Sequence, residues 1–283
     1  MMDNTPANAR KILAQHGLFP KKNLGQNFLT DKHVLDKIVA AAGLSPKDLV
    51  IEVGPGLGVL TAELARAAGK VVAIEIDTNL ADILRDTAPP NVEIINKDIL
   101  KTDLGEIIAR SGFLRAKLVA NLPYYITTPI IFAVLENDLP VDDMVVMVQK
   151  EVADRMLAAP STKAYGLLTL SIAYYGTASL VANVPPHCFF PRPDVHSAVV
   201  KINVAPRRDI CPAAFFPVIK AAFANRRKTL QNCLAAAADL NLTKADAANL
   251  LAAAGLSENV RGEALAFEDF ARLAAAYSAA YTS

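Results

Sequence analysis

Cysteine is scarce in this chain: Cys188, Cys211 and Cys233 are all there are in 283 residues, each more than twenty residues from the next. So odd and sparse a set excludes a disulfide scaffold, and no C-x-x-C pair suggests a zinc site. A reducing, cytoplasmic setting fits that usage. The thirteen glycines follow no period, which excludes collagen. No secretory leader is visible, because Met1 to Arg10 is polar and lacks an apolar core. Charged residues make up only 20% against 53% hydrophobic, so a disordered chain is excluded as well. One stretch, 164–186, has no charge at all and is long enough to span a bilayer. It carries Thr169, Ser171, Ser179 and Asn183 and is broken at Gly176-Thr177, so it reads as a buried helix followed by a buried strand.

The length implies one or two domains. The net charge of +1 conceals segregation. Residues 1–37 hold six Lys/Arg against three Asp/Glu, and 184–228 hold eight against two, which leaves −8 on the remainder. Such asymmetry suits a polyanionic partner, although two solvated basic surfaces would look the same.

From residue 49 onward, short apolar runs alternate with helical patterns. Strands are expected at 49–53, 71–76, 92–95, 117–120 and 144–148, with helices at 61–68, 80–85 and 105–110. Strands with so little polar alternation are buried on both faces, and the β-α alternation implies a parallel, doubly wound sheet. Ahead of this core, Val34, Leu35, Ile38, Val39 and Ala42 share one helical stripe that Gly43 can end. Behind it, 180–184 and 198–204 read as two more strands, joined by a rigid loop holding Pro185, Pro186, Pro191 and Pro193. Composition changes at Ala205-Pro206-Arg207-Arg208. From there to the C-terminus the chain is alanine-rich and helical, with a capping box at Thr243-x-x-Asp246. The expected domains are therefore 1–205 and 206–283.

The most informative motif is Glu52-Val53-Gly54-Pro55-Gly56-Leu57-Gly58, which succeeds the first strand and opens a helix. Gly54 and Gly56 permit close approach of a ligand to backbone N–H groups, though a tight turn alone would also use them. The spacing is G-x-G-x-G, not the G-x-G-x-x-G of a dinucleotide site. Pro55 removes an N–H, and Glu52 would repel a phosphate while suiting an amino group. Glu75 ends the second strand, where a carboxylate can accept from both ribose hydroxyls, and Asp98 lies just past the third, where one can accept from an adenine amine. A nucleoside cofactor of the sulfonium type is favoured over a nicotinamide dinucleotide.

The fourth strand ends in Asn121-Leu122-Pro123-Tyr124-Tyr125. It is either a turn or the device of methyltransferases that act on conjugated amino groups. An adenine N6 lone pair is delocalised into its ring. The Asn121 side-chain oxygen and the Leu122 carbonyl can accept from that amine and accommodate positive charge as it forms. Tyr124 can stack on the base.

Together these segments resemble the bacterial small-subunit ribosomal RNA adenine-N6,N6-dimethyltransferases. The matching stretches also include Lys22-Asn23-Leu24-Gly25-Gln26-Asn27-Phe28-Leu29, Gln149-Lys150-Glu151, Phe189-x-Pro191-x-Pro193-x-Val195-x-Ser197 and Phe223-x-x-Arg226-Arg227-Lys228. The resemblance implies a Rossmann-like class I methyltransferase sheet with a reversed last strand, plus a small all-α C-terminal domain that contacts RNA. It implies S-adenosylmethionine as cofactor, held by Asn27, Leu29, Gly54, Gly56, Glu75, Asp98 and Asn121. The substrate implied is two adjacent adenines near the 3′ end of 16S rRNA in the small ribosomal subunit. The reacting residues are Asn121, Leu122, Pro123 and Tyr124, with Phe189 stacking opposite Tyr124. Lys21, Lys22, Arg226, Arg227 and Lys228 are the expected RNA contacts, the last three alternatively a solvated helix face. A monomer without metal or membrane association is expected, acting in subunit assembly. Three rivals stand beside this reading: a large-subunit adenine methyltransferase of the resistance type, an RNA-binding assembly factor with a vestigial site, and an NAD oxidoreductase.

Overall fold

The computed structural model describes residues 5–21 and 24–281. In chain order the elements are α1 (Pro6–Gln15), β1 (Phe28–Leu29), α2 (Lys32–Ala42), β2 (Leu49–Val53), α3 (Val59–Ala67), β3 (Lys70–Glu75) and α4 (Thr78–Thr87). They continue with β4 (Val92–Asn96), α5 (Leu104–Arg110), β5 (Ala116–Asn121), α6 (Thr127–Leu135), β6 (Val141–Gln149) and α7 (Lys150–Met156). Then come α8 (Leu167–Tyr175), β7 (Gly176–Val184), β8 (Phe189–Phe190), β9 (Ser197–Val204), α9 (Pro212–Ala224), α10 (Leu230–Ala236), α11 (Lys244–Ala253) and α12 (Phe267–Tyr281).

The main sheet has the order β4-β3-β2-β5-β6-β9-β7. Strands β2 to β6 are parallel to their neighbours, and β9 runs antiparallel to β6, with Gln149 opposite Ser197. The reversed last strand is thus present. Leu49, Val50, Ile51, Val71, Val72, Leu118 and Val119 have no exposed surface, as strands covered by helices on both faces require. The chain winds outward from β2 in one direction and resumes at β5 on the other side. That reversal leaves a crevice at the C-terminal strand tips.

Two parts of the sequence reading need correction. The uncharged stretch does fold as a helix and then a strand, but β7 lies at the sheet edge and Thr177, Ser179, Leu180 and Asn183 are exposed. Among the described residues no helix is long and apolar enough to cross a membrane. The proline-rich loop also contains β8, which pairs antiparallel with β1 and sets Phe189 opposite Leu29. Directly paired residues project to the same face. Phe189 is consequently 2% exposed, packed with Leu29, Val34, Leu35, Ile38 and Val184. It is a core residue here, not an aromatic presented to a base.

The chain divides into two compact units, residues 1–153 with 178–204, and 154–177 with 205–283. The expected boundary at 206 therefore misses that 154–177 joins the helical unit. Its aromatic residues account for this. Tyr165 meets Phe223 edge-on at 5.8 Å, and Tyr174 stacks on Phe215 at 5.3 Å. The Tyr165 hydroxyl donates to the Leu265 carbonyl and the Tyr174 hydroxyl to that of Ile210. The capping box forms as expected, with Thr243 and Asp246 each accepting from the other's N–H.

Truncation of a fully packed phenylalanine costs about 3–5 kcal/mol. Phe189→Ala is expected to lower the unfolding free energy by that amount in urea titrations. A variant as stable as the parent chain would return Phe189 to the surface role.

Candidate active site

The tips of β2, β3 and β5, the residues just past β4 and residues 24–29 line one open cleft. The glycine loop forms its floor. Gly54, Gly56 and Gly58 have φ of +67°, +60° and +80°, a region that residues with a Cβ enter only with strain. At Gly58 a Cβ would sit 2.6 Å from Leu84 Cδ2, and at Gly56 it would sit 3.0 Å from the Phe28 ring. These glycines serve close packing of the loop as well as its turn.

Glu75 ties this loop to the neighbouring strand. Its Oε2 accepts from the Gly56 N–H at 3.1 Å and its Oε1 from the Asp77 N–H at 2.9 Å. Burial pushes its carboxyl above the ordinary range, against the pull of those bonds. Each oxygen keeps a further lone pair for a ligand hydroxyl. Asp98 caps the short turn Ile99–Lys101, accepting from Leu100 N–H at 3.0 Å, and lines the cleft beside Tyr125.

Glu52 is 1% exposed; no donor stands at full hydrogen-bond geometry on its Oε2, though the buried Thr61 hydroxyl lies beside it and pulls its carboxyl down. Burial first, and then the Glu75 charge, push the Glu52 carboxyl up to about 8. A buried acid on a cleft wall can receive a cationic donor.

Asn121 closes the other side. Its Nδ2 donates to the Asn27 carbonyl at 3.1 Å, which leaves the side-chain oxygen as the free acceptor. The Leu122 N–H donates to Met147 O at 3.1 Å and fixes that peptide. The Pro123 carbonyl is already taken by Thr127 Oγ1 at 3.0 Å and by Ile126 N–H. Leu122 therefore supplies the available backbone acceptor. The Tyr124 hydroxyl shares a hydrogen bond with Ser197 Oγ on β9. Burial raises the phenol above its ordinary range, so it stays neutral.

Of the residues singled out from sequence, Asn27, Leu29, Gly54, Gly56, Glu75, Asp98, Asn121, Leu122, Pro123 and Tyr124 all line this one cleft. Phe189 does not. Lys22 lies outside the described residues. The Lys21 ammonium is engaged by Asp77 at 2.9 Å. Arg226 is a correction too: it donates to Glu263 twice, to Lys163 O at 2.7 Å and to Thr162 O at 2.9 Å. That occupies four of its five donors within the helical unit, whereas Arg227 and Lys228 are exposed. Sequence reasoning gave no role to Gln26, Asp77 or Ser197. Gln26 and Ser197 stood in recognised motifs, and Asp77 carried no signal beyond its proximity to Glu75.

The raised Glu52 carboxyl makes stability depend on pH. Below its ordinary 4.5 both folded and unfolded chains hold the proton; between 4.5 and about 8 only the folded chain does. Stability from this group is thus present at low pH and falls as pH rises through that window. The slope reaches about 1.4 kcal/mol per pH unit. Glu52→Gln is expected to flatten it in denaturant titrations of the ligand-free protein, and an unaltered profile would contradict the assignment.

Comparison with known proteins bears on the same cleft. Residues 19–278 match the family described as ribosomal RNA adenine dimethylase. The chain is 46% identical to ribosomal RNA small subunit methyltransferase A of Lachnoclostridium phytofermentans, over 95% of each chain. It is 48% identical to the protein of that name in Clostridioides difficile, over 94% of each. Among solved structures it resembles a dimethyladenosine transferase from Plasmodium falciparum, with a TM-score of 0.70 and 27% identity, covering 87% of this chain and 95% of that one. It also resembles the 23S rRNA methyltransferase ErmE, with a TM-score of 0.68 and 26% identity, covering 89% and 100%. Since the match runs unbroken through the strand-tip cleft and on into the helical unit, the chain belongs to the ribosomal RNA adenine dimethylase family.

Proposed function

We propose that this enzyme moves methyl groups from S-adenosylmethionine to N6 of two adjacent adenines near the 3′ end of small-subunit ribosomal RNA, as a step in subunit assembly. The observation that carries this reading is the pair of free acceptors, Asn121 Oδ1 and Leu122 O, on the cleft that Glu52, Glu75 and Asp98 also line. The name shared by the bacterial relatives supports the small subunit as substrate.

The donor set suits the cofactor. Glu52 would receive the methionine ammonium, Glu75 the ribose hydroxyls and Asp98 the adenine amine. When bound, the cofactor supplies an electrophilic methyl on a sulfonium. The chain's own work is positional. Asn121 and Leu122 accept from the target NH₂, drawing its lone pair out of conjugation and stabilising the positive charge that develops. Tyr124, its hydroxyl held by Ser197, offers a ring face to the base, a contact worth roughly 1–3 kcal/mol. No strong general base is required, because the methylated nitrogen is acidic enough to lose its proton to water. Alignment of the reacting atoms can supply on the order of 7–11 kcal/mol. Arg227 and Lys228 of the helical unit would contact phosphates, which set position without reading sequence.

Asn121→Ala is expected to abolish transfer to undermethylated small subunits while weakening cofactor binding only in part, through loss of its bond to the Asn27 carbonyl. Labelled cofactor, with mapping of the modified bases, measures the first, and calorimetry the second. Near-normal turnover would defeat the mechanism, and label found in large-subunit RNA would favour the resistance-type activity. Replacing both Arg227 and Lys228 by alanine should weaken subunit binding. It should also reduce the slope of log affinity against log salt by roughly 0.7–0.9 per lost contact. An unchanged slope would leave those two residues as solvated surface.

A further inference from the structure

Asp77 takes no part in the methyl-transfer chemistry and does not line the cleft, yet its carboxylate, in a residue only 5% exposed, gathers two donors from the distant N-terminal lead-in. Lys21 Nζ lies 3.0 Å from Oδ1 and 2.9 Å from Oδ2. Gln26 Nε2 donates to Oδ2 at 2.8 Å, and the Gln26 side-chain oxygen accepts from the Lys21 N–H at 2.7 Å. The Asp77 N–H in turn donates to Glu75 Oε1. A chain of bonds thus runs from the N-terminal lead-in to the carboxylate expected to hold the ribose. At its far end the same segment is fastened by Asn121 Nδ2 on the Asn27 carbonyl. Just past the second tie, Phe28 packs with Leu57, Leu80 and Ile83. Residues 24–29 are one wall of the cleft, and the only strand they contribute is the two-residue β1, paired with β8 at their C-terminal end.

We propose that Asp77 is a positioning residue: it clasps Lys21 and Gln26 and so holds residues 24–29 as a wall of the cofactor cleft. The inference rests on S-adenosylmethionine being the ligand of that cleft. Charge is the reason for an aspartate at this place. Bonds between charged groups are roughly twice as strong as neutral ones, and a nearly buried carboxylate keeps its charge only beside a cation and donors. Asp77 also caps α4, accepting from the Asn79 N–H at 3.2 Å. Asparagine caps a helix about as well as aspartate, so Asp77→Asn keeps the cap and removes the charge that Lys21 answers.

The test is calorimetric binding of S-adenosylmethionine to Asp77→Asn, Lys21→Met and the double variant. It is paired with hydrogen exchange of residues 24–29 in the cofactor-free proteins. Loss of one charge-assisted bond is expected to raise Kd about tenfold and to speed exchange at 24–29 by a similar factor. Lys21 is exposed, so Lys21→Met gives the same readout without threatening the fold. The double variant should bind no more weakly than Asp77→Asn alone. In turnover, KM for the cofactor should rise and KM for the RNA should not, a split that general destabilisation would not produce. Parental affinity and exchange in Asp77→Asn, or effects of the two substitutions that multiply, would overturn the clasp. A parent chain that does not bind S-adenosylmethionine would overturn the cofactor reading itself, and the clasp with it.

Discussion

The two oxygens of Glu75 accept from the Gly56 and Asp77 amides, and the geometry of the site depends on that one carboxylate. A loop of three glycines in left-handed conformation has no stiffness of its own. Here it is fixed by a bond from the adjacent strand tip, with Phe28 and Leu84 closing the space where side chains would otherwise be. The second bond orders the start of α4, and through Asp77 reaches the N-terminal segment. Loop, strand tip and lead-in are thereby set by a single group that also lines the cleft.

The electrostatics of the cleft come from burial. Glu52 and Glu75 are both shifted upward by desolvation, so burial favours their protonated, neutral forms. A cationic donor beside them would favour the charged forms, whereas a pyrophosphate would oppose them further. Asp77 shows the alternative outcome: burial opposes its charge, but the bonds from Lys21 and Gln26 outweigh it and hold the carboxyl below its ordinary range. Three neighbouring acids therefore behave differently according to which partners lie within reach.

The helical unit obeys a different logic. Alanine-rich helices leave shallow surfaces, and bulky residues fill them: Phe215, Phe223 and Phe270 from within, Tyr165 and Tyr174 from the stretch 154–177. Arg226 binds that stretch to Glu263 through backbone carbonyls. A cluster of three cations in sequence thus separates into one internal tie and two exposed charges.

Local pattern was enough for much of this. The alternation of apolar runs and helical stripes located the parallel strands. The residues leaving those strands, Gly54, Glu75, Asp98 and Asn121, were legible because a doubly wound sheet brings consecutive strand tips to one edge. Motif and spacing therefore sufficed to bring them to one cleft. What the sequence could not express was pairing at a distance. Phe189 became core because β8 lies against β1, a contact across some 160 residues that has no local signature. The same holds for Lys21 and Gln26 on Asp77, for Ser197 on Tyr124 and for 154–177 in the helical unit. Composition and period determined which elements exist and which residues stand at their tips. Only tertiary structure decided which exposed-looking side chains were already engaged, because a hydrogen bond depends on where two atoms meet and not on where they stand in the chain.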